Sequence, residues 1–289
     1  MIRKFRYVLL EILAIVLFLI SMLPFILVLM NSAKSPSIMI TRYPLGLPTE
    51  PMNLFSNIYE VLTSPNVRYF TSFMSSATIT ILSVSLLILI ASMAAWVLVR
   101  TKTKLSNFIF FMFIAAMVIP FQVVMFPLIT WFFSIEVALG LSGSIRLLQN
   151  YAGIILAYMG FGSSLSIFLY HGFIKGIPYE LEEAATIDGC SKPRVFFNIV
   201  FPLLKPVTIT VMILNGIWIW NDFLLPLLIL GSGNPIQTLP VAVAAFVGSF
   251  VRRWDLILTS TLMAMLPIII VFLFVQKHII KGMVDGSIK

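Results

Sequence analysis

The stretch from Tyr7 to Met30 contains one charged residue, Glu11, and is otherwise almost wholly apolar. A bilayer's hydrocarbon core is about 30 Å thick, so a helix rising about 1.5 Å per residue needs about 20 apolar residues to cross it. Tyr7–Met30 meets that length, and it is not the only run that does. The apolar runs are continuous rather than alternating, which favours helices over a closed barrel as the way to satisfy backbone groups in lipid. Composition agrees: 60% of the 289 residues are hydrophobic and 10% charged. Soluble chains average roughly 45–50% and about 25%.

Further spans are expected near Ser72–Val99, Asn107–Phe133 (with Pro120 and Pro127 inside it), Tyr151–Tyr170, Pro206–Leu230 and Leu256–Val275. The expected fold is therefore all-α: a polytopic membrane protein of six transmembrane helices, forming one membrane domain over residues 1–289. The first run is too long for a signal-peptide core of about 7–15 residues, so it reads as a retained span. The nineteen lysines and arginines divide thirteen to six between alternate connections. Arg3, Lys104 and Lys192 belong to the larger set, and Lys34 and Arg146 to the smaller. The basic side should be cytoplasmic, with both termini inside. That bias also accounts for the net charge of +8 without invoking nucleic acid.

Cys190 is the only cysteine, and the two histidines, His171 and His278, lie far apart. Neither a disulfide within the chain nor a metal-ligand cluster is expected. No Gly-x-x-x-x-Gly-Lys-Ser/Thr loop is present to cradle phosphates. The few charges inside expected spans, Glu11 and Asp222, do not form an evident proton relay. Two outer connections are long enough to have structure. Asn31–Tyr69 should carry a short helix over Leu54–Leu62, capped by Asn53. Gly231–Asp255 begins with a turn and becomes apolar again around Val241–Val247, as a hairpin dipping back toward the membrane would.

The inner connection from His171 to Lys205 is more than a linker. Pro178 suits a helix start, and Glu180, Glu182 and Glu183 crowd the first turn, where the helix dipole favours anions. Gly189 should end this helix with a positive φ. Ser191 and Pro193 begin a second helix, on which Val195, Phe196 and Ile199 share one face. Such a helix–turn–helix needs a partner surface, either its own bundle or another protein.

The spacing Glu183-Ala184-Ala185, three residues, Gly189, nine residues, Ile199, one residue, Phe201-Pro202 resembles the EAA loop of ABC-importer permeases. Phe201 stands where that pattern has leucine. Ile177–Gly189 resembles the form found in carbohydrate-uptake permeases of the maltose type. So do Ile119-Pro120-Phe121-Gln122, Trp220–Leu227 and the C-terminal Gly282–Gly286, the last resembling the smaller of the two permeases in such importers. The resemblance implies the type I importer permease fold and a coupling loop at about residues 171–205. Glu183, Ala184, Ala185, Asp188, Gly189, Ile199 and Pro202 would then dock on a cytoplasmic ATPase. It implies a non-catalytic subunit with no cofactor of its own, ATP and Mg being bound by the partner. It further implies a second permease subunit, two ATP-binding subunits and an extracytoplasmic binding protein. ATP would close the ATPase pair, and the loop helix would act as a lever that rocks the spans between inward-facing and outward-facing states.

A polar stripe of Thr208, Asn215, Trp218 and Asp222 runs along the fifth span. Asn215, Trp218, Asn221 and Asp222 are candidates for the translocation path, with structural polar contacts as the equal alternative. Trp218 or Trp220 could stack on a sugar ring, or sit in the aromatic belt. Ser76, Thr80 and Ser83 in the second span suit close helix packing. An importer of an amino acid or peptide is the nearest rival function. An ion-coupled secondary transporter would need no ATPase and would leave the loop without a purpose. An embedded enzyme has no catalytic constellation to support it.

Overall fold

The computed structural model describes residues 2–34, 40, 42–65, 68–143, 146–231, 233–249 and 253–287, and among these every regular element is helical. In chain order these are α1 (Ile2–Ser32), α2 (Asn53–Thr63), α3 (Tyr69–Arg100), α4 (Lys104–Ala116), α5 (Phe121–Leu139) and α6 (Tyr151–Ile174). They continue as α7 (Glu180–Ile187), α8 (Lys192–Leu203, π-helical over Phe196–Val200), α9 (Lys205–Asn221), α10 (Leu224–Leu230), α11 (Leu239–Ser249) and α12 (Trp254–Ser287). Five helical segments are long and apolar enough to cross a membrane: Arg6–Ser32, α3, α5, α6 and Trp254–Phe274. A sixth is counted if α8 and α9, bent by 76° at Leu204, form one broken span.

Two expected spans are broken. The third is divided into α4 and α5 at Met117–Pro120. Pro120 has no N–H to continue the ladder, and the residue before a proline is pushed out of the helical region. Pro120 itself is extended, at φ −61° and ψ 132°, and precedes α5. The fifth is interrupted after Asn221. Asp222 is extended (ψ 129°), and its Oδ1 accepts from the Leu224 N–H at 3.0 Å, so one side chain ends α9 and caps α10.

The described residues form two compact units. The smaller consists of residues 1–70 and 242–267. Most of α1 is exposed, including Phe18 and Ile20, as suits a helix solvated by lipid. Its end is anchored: the Ser32 carbonyl accepts from Asn57 Nδ2 at 2.8 Å and Thr259 Oγ1 at 3.1 Å. The buried Lys34 ammonium donates to Asn31 Oδ1 and the Tyr43 carbonyl, both at 2.7 Å. Desolvation holds its pKa below the ordinary lysine value. Helix α2 forms as expected over Leu54–Leu62, but Asn53 is its first residue and not its side-chain cap. The turn bonds Asn53 N–H to Glu50 and Leu54 N–H to Pro51 already satisfy those donors. Arg253 pairs with Asp255 at 3.1 Å and Glu60 at 3.0 Å, which raises its pKa chiefly through the Asp255 bond.

The larger unit holds residues 71–241 and 268–289. Its core has two layers. One packs Ile79, Leu87, Phe132, Ile154, Tyr158 and Leu225. The other packs Ala95, Tyr170, Ile174, Ala185, Phe196, Leu204 and Val211, so the connection between α6 and α9 is part of the core.

Candidate functional site

Helix α7 has two unlike faces because its sequence alternates charge, alanine and apolar residues at helical spacing. Glu182 and Ala185 are buried against the bundle. Glu180, Glu183, Ala184 and Ile187, at i, i+3, i+4 and i+7, lie on the opposite face and are all exposed. Ile187 is 86% exposed. The expected acidic first turn is present. Gly189 has φ +83°, and the helix closes in a Schellman arrangement. Cys190 N–H reaches the Ala185 carbonyl at 2.9 Å, and Gly189 N–H reaches that of Thr186 at 3.0 Å.

Ser191 takes the extended cap position before α8, with Pro193 in the first turn, although its hydroxyl makes no cap bond. Val195 and Phe196 are buried and Ile199 half-buried on the shared inner face, whereas Asp188 and Pro202 are exposed. The loop thus packs one face on its own bundle and leaves the other open.

Sequence reasoning missed what holds α7 in place. The Glu182 carboxylate receives Arg100 of α3 on Oε1, from Nε at 2.9 Å and from the terminal nitrogen at 2.7 Å. Its Oε2 accepts from Trp96 Nε1 at 2.9 Å. Arg100 also donates to the Ile177 carbonyl at 3.1 Å and lies 5.4 Å from the centre of the Tyr179 ring. In the sequence Arg100 reads only as a member of the basic inner set.

The polar stripe of α9 faces α6. Thr208 meets Tyr170 Oη at 3.0 Å, Asn215 Nδ2 donates to Ser166 Oγ at 3.1 Å, and Asp222 Oδ2 accepts from Tyr158 Oη at 3.0 Å. The partners run in opposite chain order, an antiparallel ladder of interhelical hydrogen bonds. A Cβ on Gly162 would come within 2.6 Å of Leu87 Cδ1 and 2.8 Å of Asn215 Oδ1, so glycine permits this approach. Trp218 stacks edge-on to Tyr158 at 5.4 Å, while Asn221 is exposed and donates to its own helix at Ile217.

A concavity of about 740 Å³ opens beside this ladder, lined by Asn215, Trp218, Ser163, Ser164, Phe121 and Trp131 among others. Asn215 and Trp218 therefore border both the ladder and an open space. Asn221 and Asp222 are not among its lining residues. Trp220 lines a separate, apolar concavity of about 340 Å³ with Thr80, Val84 and Ile268. In α3, Ser76 accepts from the Leu239 N–H, Thr80 borders that apolar concavity and Ser83 is buried.

Residues 87–285 match the family described as binding-protein-dependent transport system inner membrane component. The chain belongs to this family. As a member it is a transport permease subunit of the inner membrane, and the matched region includes the whole loop from α6 to α9. Among its relatives is the probable starch degradation products transport system permease protein AmyC of Thermoanaerobacterium thermosulfurigenes. It is 37% identical over 281 residues, covering 97% of this chain and 96% of that protein. The melibiose/raffinose/stachyose import permease protein MelC of Bacillus subtilis is 40% identical over 219 residues, 75% of each chain. The fold matches a chain of a bacterial ABC transporter involved in the import of the acidic polysaccharide alginate. The TM-score is 0.76 at 22% identity, over 95% of this permease and 96% of that chain. The likeness supports the expected type I importer permease fold.

Proposed function

We propose that this permease is one of two membrane subunits of an ATP-driven carbohydrate importer and that α7 is its docking helix for a cytoplasmic ATPase. The observation that carries the coupling role is the split of α7 into a buried, bonded face and an open one. An apolar Ile187 beside Glu183 and Ala184, exposed on a short helix outside the spans, suits a protein partner. Glu183, Ala184 and Asp188 make that contact. Ala185 and Gly189 shape the helix, and Ile199 and Pro202 set the return to α9. The ATPase subunits, two per transporter, bind the ATP and Mg. The chain itself holds neither, and both termini lie in the cytoplasm, a reading supported by the excess of lysine and arginine in the inner connections.

The carbohydrate cargo rests on the relatives, whose names specify starch degradation products, melibiose, raffinose and stachyose, and arabinooligosaccharides. In this chain the concavity bordered by Asn215 and Trp218 offers the exposed Trp218 indole to a sugar ring, while the buried Asn215 amide is already bonded to Ser166 and Val211. A second permease, different from this one, closes its open side and completes the path. Asn221, exposed at the end of α9, lies farther along the path, and Asp222 acts on the path by fixing Tyr158 and α10. Cargo arrives from an extracytoplasmic binding protein.

The test is uptake into proteoliposomes containing this chain, its co-purifying permease and ATPase, and the cognate binding protein. Labelled oligosaccharide should accumulate only with ATP and binding protein present. Uptake of an amino acid or peptide instead would refute the cargo, and uptake driven by an ion gradient without the ATPase would refute the machine.

A further inference from the structure

Helix α3 differs from the other span-length helices. Pro24, Pro127 and Pro267 lie inside α1, α5 and α12, and α6 contains several glycines. Within α3, from Tyr69 to Arg100, there is neither proline nor glycine. Sharp bends in helices have identifiable causes, proline and glycine foremost, and α3 has neither.

Both ends of α3 are fastened to other elements through buried polar bonds. At one end, Arg100 and Trp96 occupy both oxygens of Glu182 on α7, and Arg100 takes the Ile177 carbonyl as well. Glu182 is 4% exposed. At the other end, buried Ser76 Oγ accepts from the Leu239 N–H at 2.7 Å. Ser76 and Arg100 are 24 residues apart, about 36 Å along a helix.

A carboxylate taken out of water is retained only where its charge and lone pairs are matched. Here one guanidinium and one indole do so, with two donors from the fixed fork of the arginine. Breaking this contact leaves a buried charge unpaired, so α7 cannot leave α3 cheaply. The open face of α7 contributes nothing to the contact.

We propose that α3 is a strut: Arg100 and Glu182 latch it to α7, so that displacement of α7 is delivered without slack to Leu239 at the start of α11. Arg100 is a positioning residue, since it acts through Glu182 and the Ile177 carbonyl. This rests on the assignment of α7 as the ATPase-docking helix.

The experiment uses the whole transporter in proteoliposomes, with Arg100→Ala and Glu182→Gln as separate variants. Spin labels at Met74→Cys and Leu181→Cys, in a Cys190→Ser background, report the length of the strut. The unsubstituted transporter should bind its ATPase and keep one label distance, within about 3 Å, between nucleotide-free and ATP-vanadate-trapped states. Both variants should still co-purify the ATPase and hydrolyse ATP, but transport at least fivefold less cargo per ATP. Their label distance should broaden or change on trapping.

A label distance that changes by more than about 5 Å in the unsubstituted transporter overturns the strut. So does unchanged cargo per ATP in both variants. If a variant fails to assemble, the label distances of the unsubstituted complex alone support or overturn the strut by the same limits. Absence of any ATPase from that complex would instead refute the docking role of α7, which separates the two failures.

Discussion

Gly189→Val tests the coupling loop at the point where sequence and geometry meet. Gly189 sits at φ +83°, and an added Cβ would have nothing within 4 Å. The cost of a side chain is therefore conformational, not steric crowding by neighbours. Left-handed backbone costs an L-residue about 1–2 kcal/mol, and a β-branched residue fits worst. Two helix-closing bonds depend on this conformation, from Cys190 to Ala185 and from Gly189 to Thr186. If valine flips φ, both are lost, at about 0.5–1.5 kcal/mol each, and α8 leaves α7 at a different angle. The spans do not depend on this turn, so the variant should insert and pair with the second permease. It should lose ATPase binding, or lose uptake while hydrolysis continues. Gly189→Asn, which tolerates the left-handed region, should retain most of both. The assay is cargo-stimulated hydrolysis and uptake in proteoliposomes. Normal values of both for Gly189→Val would refute the role given to this turn.

Gly162→Val should lower the midpoint of thermal unfolding in detergent, because its side chain meets Leu87 and Asn215 and overpacking costs about 1–3 kcal/mol; an unchanged midpoint would refute the close approach of α6 and α9. Purified alone, the chain should hydrolyse no ATP, and hydrolysis sensitive to substitutions in this chain would refute the division of labour. A membrane-impermeant thiol reagent should label Arg146→Cys in intact cells but not Lys104→Cys or Lys192→Cys, and labelling at 192 would reverse the topology. The resemblance to maltose-type permeases implies that the outer tip from Ser232 to Pro235, of which Ser232 lies outside the described residues, contacts the binding protein; shortening it should lower uptake while leaving ATPase assembly intact, and unchanged uptake would refute that contact.

Four of the spans were legible because length and apolarity alone specify a helix that crosses lipid. The interruptions were not, for two different reasons. Pro120 was visible, but a proline in a span is compatible with either a kink or a break. Asp222 was visible too, yet its charge drew attention to the path rather than to its capacity to cap. The C-terminal end of α7 was readable at Gly189 because caps are local, whereas the helix expected to start at Pro178 starts at Glu180. The Arg100–Glu182 contact was not, since it joins residues 82 apart in sequence with no periodic signal. Three glutamates in one helical turn look alike until the fold buries one of them.

The polar stripe on α9 posed a choice between path and packing, and the geometry of the ladder bears on coupling in either case. Tyr170–Thr208, Ser166–Asn215 and Tyr158–Asp222 join α6 to α9 over almost their shared length. The loop containing α7 and α8 leaves from the end of α6 and returns at the start of α9, and the Tyr170–Thr208 bond closes its base. Val195, Phe196, Val200 and Leu204 fill the space between with apolar contacts. A force on the open face of α7 therefore meets a loop packed against its base, and cannot be absorbed by spreading α6 from α9 without breaking buried hydrogen bonds. With α7 as the docking helix proposed above, the force would pass to that pair through the backbone and to α3 through Arg100. Asn215 and Trp218 ride on the same pair of helices and border the 740 Å³ concavity. Residues that serve as packing in one state are thus placed to change the shape of an open space when the pair moves.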